Sequence, residues 1–297
     1  MNSDTTPSQP GSKKVLSTLD VILMTACALL GLETIIPLAS SGAPGISWLV
    51  LVILLFFLPF GLITAELSSA YPQQGGISAW VRRGLGPRWS GRAAWFYWAN
   101  NAIWVPSVLL VFSGLLKELF FPGLGLWAQI GVALLLTWLL VLLNILPLAI
   151  SKIFILIGGL LEIVLLAILG IGGIVKGLQF GVANDLSWPA LLPTWDAGLA
   201  LLPVIVYTFI GLEVMFAAGS EIRRPQRNPL SLVITGLLVA LLYLLFTVGL
   251  LMAVPAADLA ETGSTIAAFN IIFNLPTLTN PATRAFGAAL LLSLLTF

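Results

Sequence analysis

Lys152-Ile-Phe-Ile-Leu-Ile-Gly-Gly-Leu-Leu-Glu162-Ile-Val-Leu-Leu-Ala-Ile-Leu-Gly-Ile-Gly-Gly-Ile-Val-Lys176 is the stretch that decides the class of this protein. Between its two lysines the only charged side chain is Glu162. At about 1.5 Å of rise per residue the run crosses the roughly 30 Å hydrocarbon core of a bilayer as a helix. Comparable runs lie near residues 19–40, 46–70, 93–121, 125–147, 197–219 and 230–254, and an eighth begins near 283. Gly/Pro punctuation bounds most of them, as at Gly42-Ala43-Pro44-Gly45, Pro122-Gly123 and Pro225…Pro229. No apolar/polar alternation is long enough for a barrel. The fold class expected is therefore all-α integral membrane, with seven full transmembrane helices and part of an eighth. From Ala285 to Phe297 only about 13 apolar residues remain, fewer than a crossing needs. The expectation is a chain truncated within helix 8.

Composition agrees with lipid as the solvent. Hydrophobic residues make up 59% of the 297 and charged ones 8%, with a mean hydropathy of +1.07. A soluble domain carries about 25% charge, and 8% cannot cover a water-facing surface. The net charge of +1 provides no basic field for nucleic acid. Histidine is absent, which removes the commonest metal ligand and general base. The single Cys27 rules out an internal disulfide and a cysteine metal cluster, and reads as an ordinary small helix residue. No cofactor is expected. Residues 1–14, with Pro7, Pro10, Gly11 and Lys13-Lys14, read as a disordered cytoplasmic tail. Residues 15–297 form one transmembrane domain. The first apolar run is too long, and too soon followed by another, for a cleaved signal peptide.

Basic residues set the orientation. With the N-terminus inside, the cytoplasmic segments hold Lys13, Lys14, Arg82, Arg83, Arg88, Arg92, Lys152, Arg223, Arg224 and Arg227, and the outer side holds Lys117, Lys176 and Arg284. The reading is a multi-pass protein of the cell membrane. Its Arg82–Arg92 and Arg223–Arg227 clusters set topology and contact lipid headgroups. The segment 75–83 is amphipathic and too short to span, so it is expected along the cytoplasmic interface.

Acidic residues inside spanning helices cost about 2.5–3.5 kcal/mol each on insertion scales and default to functional roles. Three lie deep: Glu33, Glu162 and Glu213. Two share a context: Leu30-Gly31-Leu32-Glu33 in helix 1 and Ile210-Gly211-Leu212-Glu213 in helix 6. Gly and Leu are abundant here, so the tripeptide gains its weight from placement. Many transporters consist of two inverted five-helix repeats with sites where the first helix of each is broken. Glycine permits unwound backbone whose free N–H and C=O groups face the cavity. Helix 3 offers Tyr97, Trp98, Asn100, Asn101 and Trp104, suited either to a substrate cavity or to helix–helix hydrogen bonding. Glu162, after Gly158-Gly159, reads equally as a proton site or an interhelical donor. Gly173…Gly177 is a small-xxx-small packing motif.

Three further stretches carry a resemblance. They are Leu16-Ser17-Thr18-Leu19-Asp20; Pro59…Ala65-Glu66-Leu67…Tyr71-Pro72-Gln73-Gln74-Gly75-Gly76…Trp80…Gly84-Leu85-Gly86-Pro87; and Phe209-Ile210-Gly211-Leu212-Glu213 followed by Glu221…Pro225-Gln226-Arg227-Asn228-Pro229. The chain resembles the amino acid–polyamine–organocation transporter superfamily, nearest to the bacterial glutamate–GABA and arginine–agmatine antiporters. The resemblance implies the leucine-transporter-like inverted-repeat fold, here incomplete. It implies that backbone around Leu30–Thr34 and Phe209–Leu212 holds the amino acid moiety of the substrate. It places Tyr207 where the arginine–agmatine type has an aromatic gate and Glu213 where that type has an acidic residue linked to pH response. Members usually carry a Gly-Ser-Gly-like break in helix 1, whereas this chain has Leu30-Gly31-Leu32. Glu33 stands where an apolar residue is commoner, and a helix-5 lysine of some members is absent.

The function expected is secondary active transport of amino acids or related amines, by proton-coupled symport or exchange. Substrate-binding candidates are Leu30, Gly31, Leu32, Glu33, Thr34, Asn101, Trp104, Tyr207, Phe209, Ile210 and Gly211; proton-coupling candidates are Glu213, Glu33 and Glu162. The implied partners are a small amino acid or amine, the proton and membrane lipids. The rivals are a truncated non-transporting membrane sensor and an intramembrane enzyme, the latter disfavoured because no nucleophile–base pair is present.

Overall fold

A computed structural model describes residues 14–72 and 74–295. The tail expected at 1–14 thus lies outside the described residues except for Lys14, which is exposed. Helix α1, Thr18–Leu29, starts on a capping box: the Ser17 hydroxyl accepts from the Asp20 N–H at 3.2 Å, and the Asp20 carboxylate accepts from the Ser17 N–H at 2.8 Å. It stops at Leu30-Gly31 and resumes as α2, Leu32–Ala39. Helix α3, Ala43–Ala70, contains a π-helical stretch at Ile53–Phe57. The amphipathic segment is helix α4, Gly76–Leu85, close to the span expected for the interfacial piece. Pro87 then opens α5, Pro87–Leu119, where its missing N–H is harmless. Helices α6, Leu126–Asn144, and α7, Leu148–Phe180, follow.

Helix α8, Trp195–Thr208, ends in an irregular stretch and continues as a 3₁₀ segment, Val214–Glu221. The long α9 is Asn228–Ala253, followed by the short α10, Ala256–Thr262, and α11, Thr265–Ile272, and by α12, Pro281–Leu294. No β-strand occurs among the described residues; Leu16 and Ile222 form one isolated parallel bridge. Among the described residues five helices, α3, α5, α6, α7 and α9, are each long and apolar enough to cross a membrane. The two remaining crossings expected from the sequence, near 19–40 and 197–219, are the ones that are interrupted.

The core gathers where α1, α2, α8 and α9 meet, around Met24, Leu30, Phe209, Tyr243 and Phe246. Helices α7 and α9 approach closely through glycine. A Cβ on Gly173 would sit 2.5 Å from the Gly249 carbonyl carbon, and one on Gly177 would sit 2.8 Å from Met252 Cβ. The small-xxx-small motif is thus a helix–helix seam. Large apolar side chains on α5 and α6, such as Phe96, Ile103, Trp127 and Trp138, are exposed, as a lipid-facing surface requires.

One end of the bundle draws basic residues together. The Lys152 ammonium donates to Asp20 at 2.9 Å and to the Val15 carbonyl at 3.1 Å. The Arg223 side chain donates to the Lys14 carbonyl at 3.0 Å, and Gly75 N–H donates to Ala217 at 3.1 Å. Lys176, at the far end of α7, donates instead to the Ile271 carbonyl at the end of α11.

Candidate substrate cavity between two helix breaks

At the first break the backbone leaves helical geometry: Leu30 has ψ 135° and Gly31 has φ −154° and ψ 104°. The Leu29 C=O and the Gly31 N–H therefore drop out of the α-helical ladder. Tyr243 on α9 serves both. Its hydroxyl accepts from Gly31 N–H at 3.0 Å and donates to Leu29 C=O at 2.5 Å. Thr34 ties the start of α2 back to the break, its hydroxyl donating to the Gly31 carbonyl at 2.8 Å.

At the second break, Phe209 and Ile210 make tight turns back to Val206 and Tyr207, and Gly211 has φ 141°, open in practice to glycine alone. A Cβ there would also meet the Ala28 carbonyl oxygen at 2.7 Å and Leu29 at 3.4 Å, so the two breaks lie directly against each other. The Gly211 N–H donates to Glu213 Oε2 at 3.2 Å. The Phe209 ring packs 4.5 Å from Phe57 in the π-helical stretch and edge-on to Tyr243 at 5.7 Å.

A cavity of about 260 Å³ lies between the breaks. The first break contributes Leu30, Gly31 and Thr34 to its wall, and the second contributes Ile210, Gly211 and Glu213. Tyr207 closes one side from the last turn of α8. Asn101 and Trp104 face it from α5, joined by Tyr97 and Asn100. The buried Glu213 carboxylate and Tyr97 both line this cavity. Asn101 uses its amide nitrogen on its own helix, donating to the Tyr97 carbonyl at 2.8 Å.

Three of the expected site residues lie elsewhere. Leu32 and Phe209 are buried in the packed core and are not part of the wall. Glu162 is buried on α7, but the α7 residue in the wall is Ile155, about two turns away. Glu33 lies in α2, and its side chain is outside the described residues. The structural residue that sequence reasoning missed is Tyr243. The signal available was a hydroxyl embedded in the apolar run Leu241-Leu242-Tyr243-Leu244-Leu245, since a buried tyrosine O–H seeks a partner.

The comparison with known sequences supplies the family. Residues 16–296 match the profile of amino acid permeases. The chain belongs to the amino acid permease family. This permease is 31% identical over 268 residues to a probable agmatine/putrescine antiporter, AguD, of Lactococcus lactis, covering 89% of this chain and 57% of that protein. It is 30% identical over 272 residues to an uncharacterized transporter of Legionella pneumophila, covering 89% of this chain and 58% of that protein. The inner membrane transporter YjeM of Escherichia coli is 28% identical over 242 residues, covering 74% of this chain and 48% of that protein. The permease thus spans a little over half the length of the first two relatives. The family and these relatives are transporters rather than enzymes. With its long apolar helices the chain is a multi-pass membrane protein.

Proposed function

We propose that the protein is a secondary active transporter of amino acids or related amines, using proton-coupled symport or exchange, with its substrate held between the two broken helices. The observation that carries this reading is the meeting of the breaks at Gly31 and Gly211 around a cavity that contains a buried carboxylate. The leucine-transporter-like arrangement follows from the same features. Helices α1 with α2, and α8 with the 3₁₀ segment, take the first positions of two five-helix repeats, α12 falls in the eighth, and the site sits at their junction. The N-terminus is cytoplasmic, because Lys14, Lys152 and Arg223 gather at one end of the bundle. The basic clusters at that end meet lipid headgroups.

Glu213 is the first candidate for the coupling proton, since its carboxylate is buried in the cavity wall and accepts from the Gly211 N–H. Glu33 holds the equivalent place in the first repeat, and Glu162 is the third candidate. The test is uptake into proteoliposomes of the complete protein, measured against pH for the native protein, Glu213→Gln and Glu33→Gln. The expected result is substrate accumulation driven by a proton gradient or by counter-substrate. The Glu213→Gln variant should lose most of the pH dependence while substrate affinity stays within about tenfold, roughly 1.4 kcal/mol. Loss of the pH response in Glu33→Gln alone reassigns the proton, and absence of any gradient-driven or exchange flux refutes the reading.

A further inference from the structure

We infer that the site is built to reject α-carboxylates and takes a small amine that lacks one. The inference rests on the cavity being the substrate site. Unwound helix backbone attracts an anion only through N–H groups that have no other partner. Here both break glycines have spent theirs. The Gly31 N–H is held by the Tyr243 hydroxyl at 3.0 Å, and Tyr243 lies behind the wall, fully buried, so this amide points toward α9 and away from the cavity. The Gly211 N–H is held by the Glu213 carboxylate at 3.2 Å. The same tyrosine hydroxyl fixes the Leu29 carbonyl at 2.5 Å, which stops the first break from rotating to re-aim its amide.

The wall adds a sign to this geometry. Among the described residues it contains no lysine or arginine, and its one carboxylic acid is Glu213. A carboxylate placed here faces the Glu213 carboxyl, a like charge whenever that group is ionised, and finds neither a cation nor a glycine amide to balance it. An ammonium group meets Glu213, the Asn100 and Asn101 side chains and the aromatic rings of Trp104 and Tyr207, groups suited to a cation. Tyr243 is therefore a specificity-determining residue that acts through the backbone it pins, without touching the substrate.

Putrescine and ornithine differ by one carboxylate and are the probes. Their binding to the complete purified protein is measured by calorimetry, with competition in exchange as a second readout. The native protein should prefer putrescine by at least about tenfold, equivalent to roughly 1.4 kcal/mol. Tyr243→Phe keeps the ring against Phe209 but frees both backbone groups, and should narrow that preference mainly by raising ornithine affinity. Equal or tighter binding of ornithine by the native protein overturns the inference and leaves the transport reading intact. That native comparison decides the matter even if the variant does not fold. A folded Tyr243→Phe variant that weakens both probes equally removes Tyr243 from specificity. Failure of both probes to bind refutes the cavity as the site, and the inference with it.

Discussion

The seam between α7 and α9 offers the most direct test of the packing. In Gly173→Ala the new methyl would lie 2.5 Å from the carbonyl carbon of Gly249 and 3.0 Å from its Cα. Carbon atoms pack at about 3.5–4.0 Å, so the shortfall is about 1 Å or more. The obstructing atoms are backbone, so no side-chain rotation relieves the overlap. The helices must part, and the seam continues at Gly170 against Leu245 and at Gly177 against Met252. A gap of 0.5–1 Å forfeits about a quarter to a half of each dispersion well. Overpacking of a close-packed site costs about 1–3 kcal/mol, and the breadth of this seam places the cost near 3. Alanine recovers up to about 1 kcal/mol of helix propensity, leaving a net loss of about 2 kcal/mol. Gly131→Ala on α6 is the control, because nothing lies within 4 Å of its Cβ position; it gains the propensity without the clash. Thermal unfolding in detergent should separate the two variants by about 6–10 °C. Melting of the two within about 1 °C of each other would refute the close-packed seam.

Three further outcomes follow from contacts at the ends of the bundle. Lys152→Met and Asp20→Asn each remove one partner of a part-buried 2.9 Å ion pair; a double-mutant cycle of melting free energies should show about 1 kcal/mol of coupling, and additive effects would mean that the pair contributes nothing. Asn184→Ala strips the end of α9 of three bonds, to the Leu251 carbonyl at 2.6 Å, the Val254 carbonyl at 2.7 Å and the Ala256 N–H at 2.9 Å. This should cost about 2 kcal/mol and speed amide exchange around Ala256, and unchanged exchange there would contradict the assigned role. Cysteines placed at Gly86 and Gln226 should resist an impermeant thiol reagent in intact cells and react after lysis, whereas labelling from outside would invert the orientation.

How much could be read beforehand depended on periodicity. The apolar runs that became α3, α5, α6, α7 and α9 were legible because an uninterrupted helix in lipid needs little beyond length and hydrophobicity. The location of both breaks was legible from the repeated Gly-Leu-Glu, because glycine marks where the ladder can fail. Which side chains line the cavity is less legible, above all at the breaks themselves. Leu32 and Phe209 sit beside wall residues in the sequence, yet their side chains turn into the core. Once Leu30 and Gly31 become extended, and Gly211 takes φ 141°, the 3.6-residue period no longer relates one face to the next. The Tyr243 contact was illegible for another reason: it joins residues 212 apart and depends on the rotation of α9 about its own axis.

That contact bears on how an interrupted helix survives in a bilayer. Backbone groups freed at membrane depth cost several kcal/mol unless something satisfies them. A break satisfied only by its substrate would have to order itself on each binding event, and binding would carry that conformational cost. In this permease the missing partners come from the chain itself: Tyr243 for Leu29 and Gly31, Thr34 for the Gly31 carbonyl, and Glu213 for Gly211. The breaks are therefore satisfied without a ligand. Satisfying these groups within the chain spares the breaks that ordering cost, and the Glu213 carboxylate ties the Gly211 turn into the same scheme.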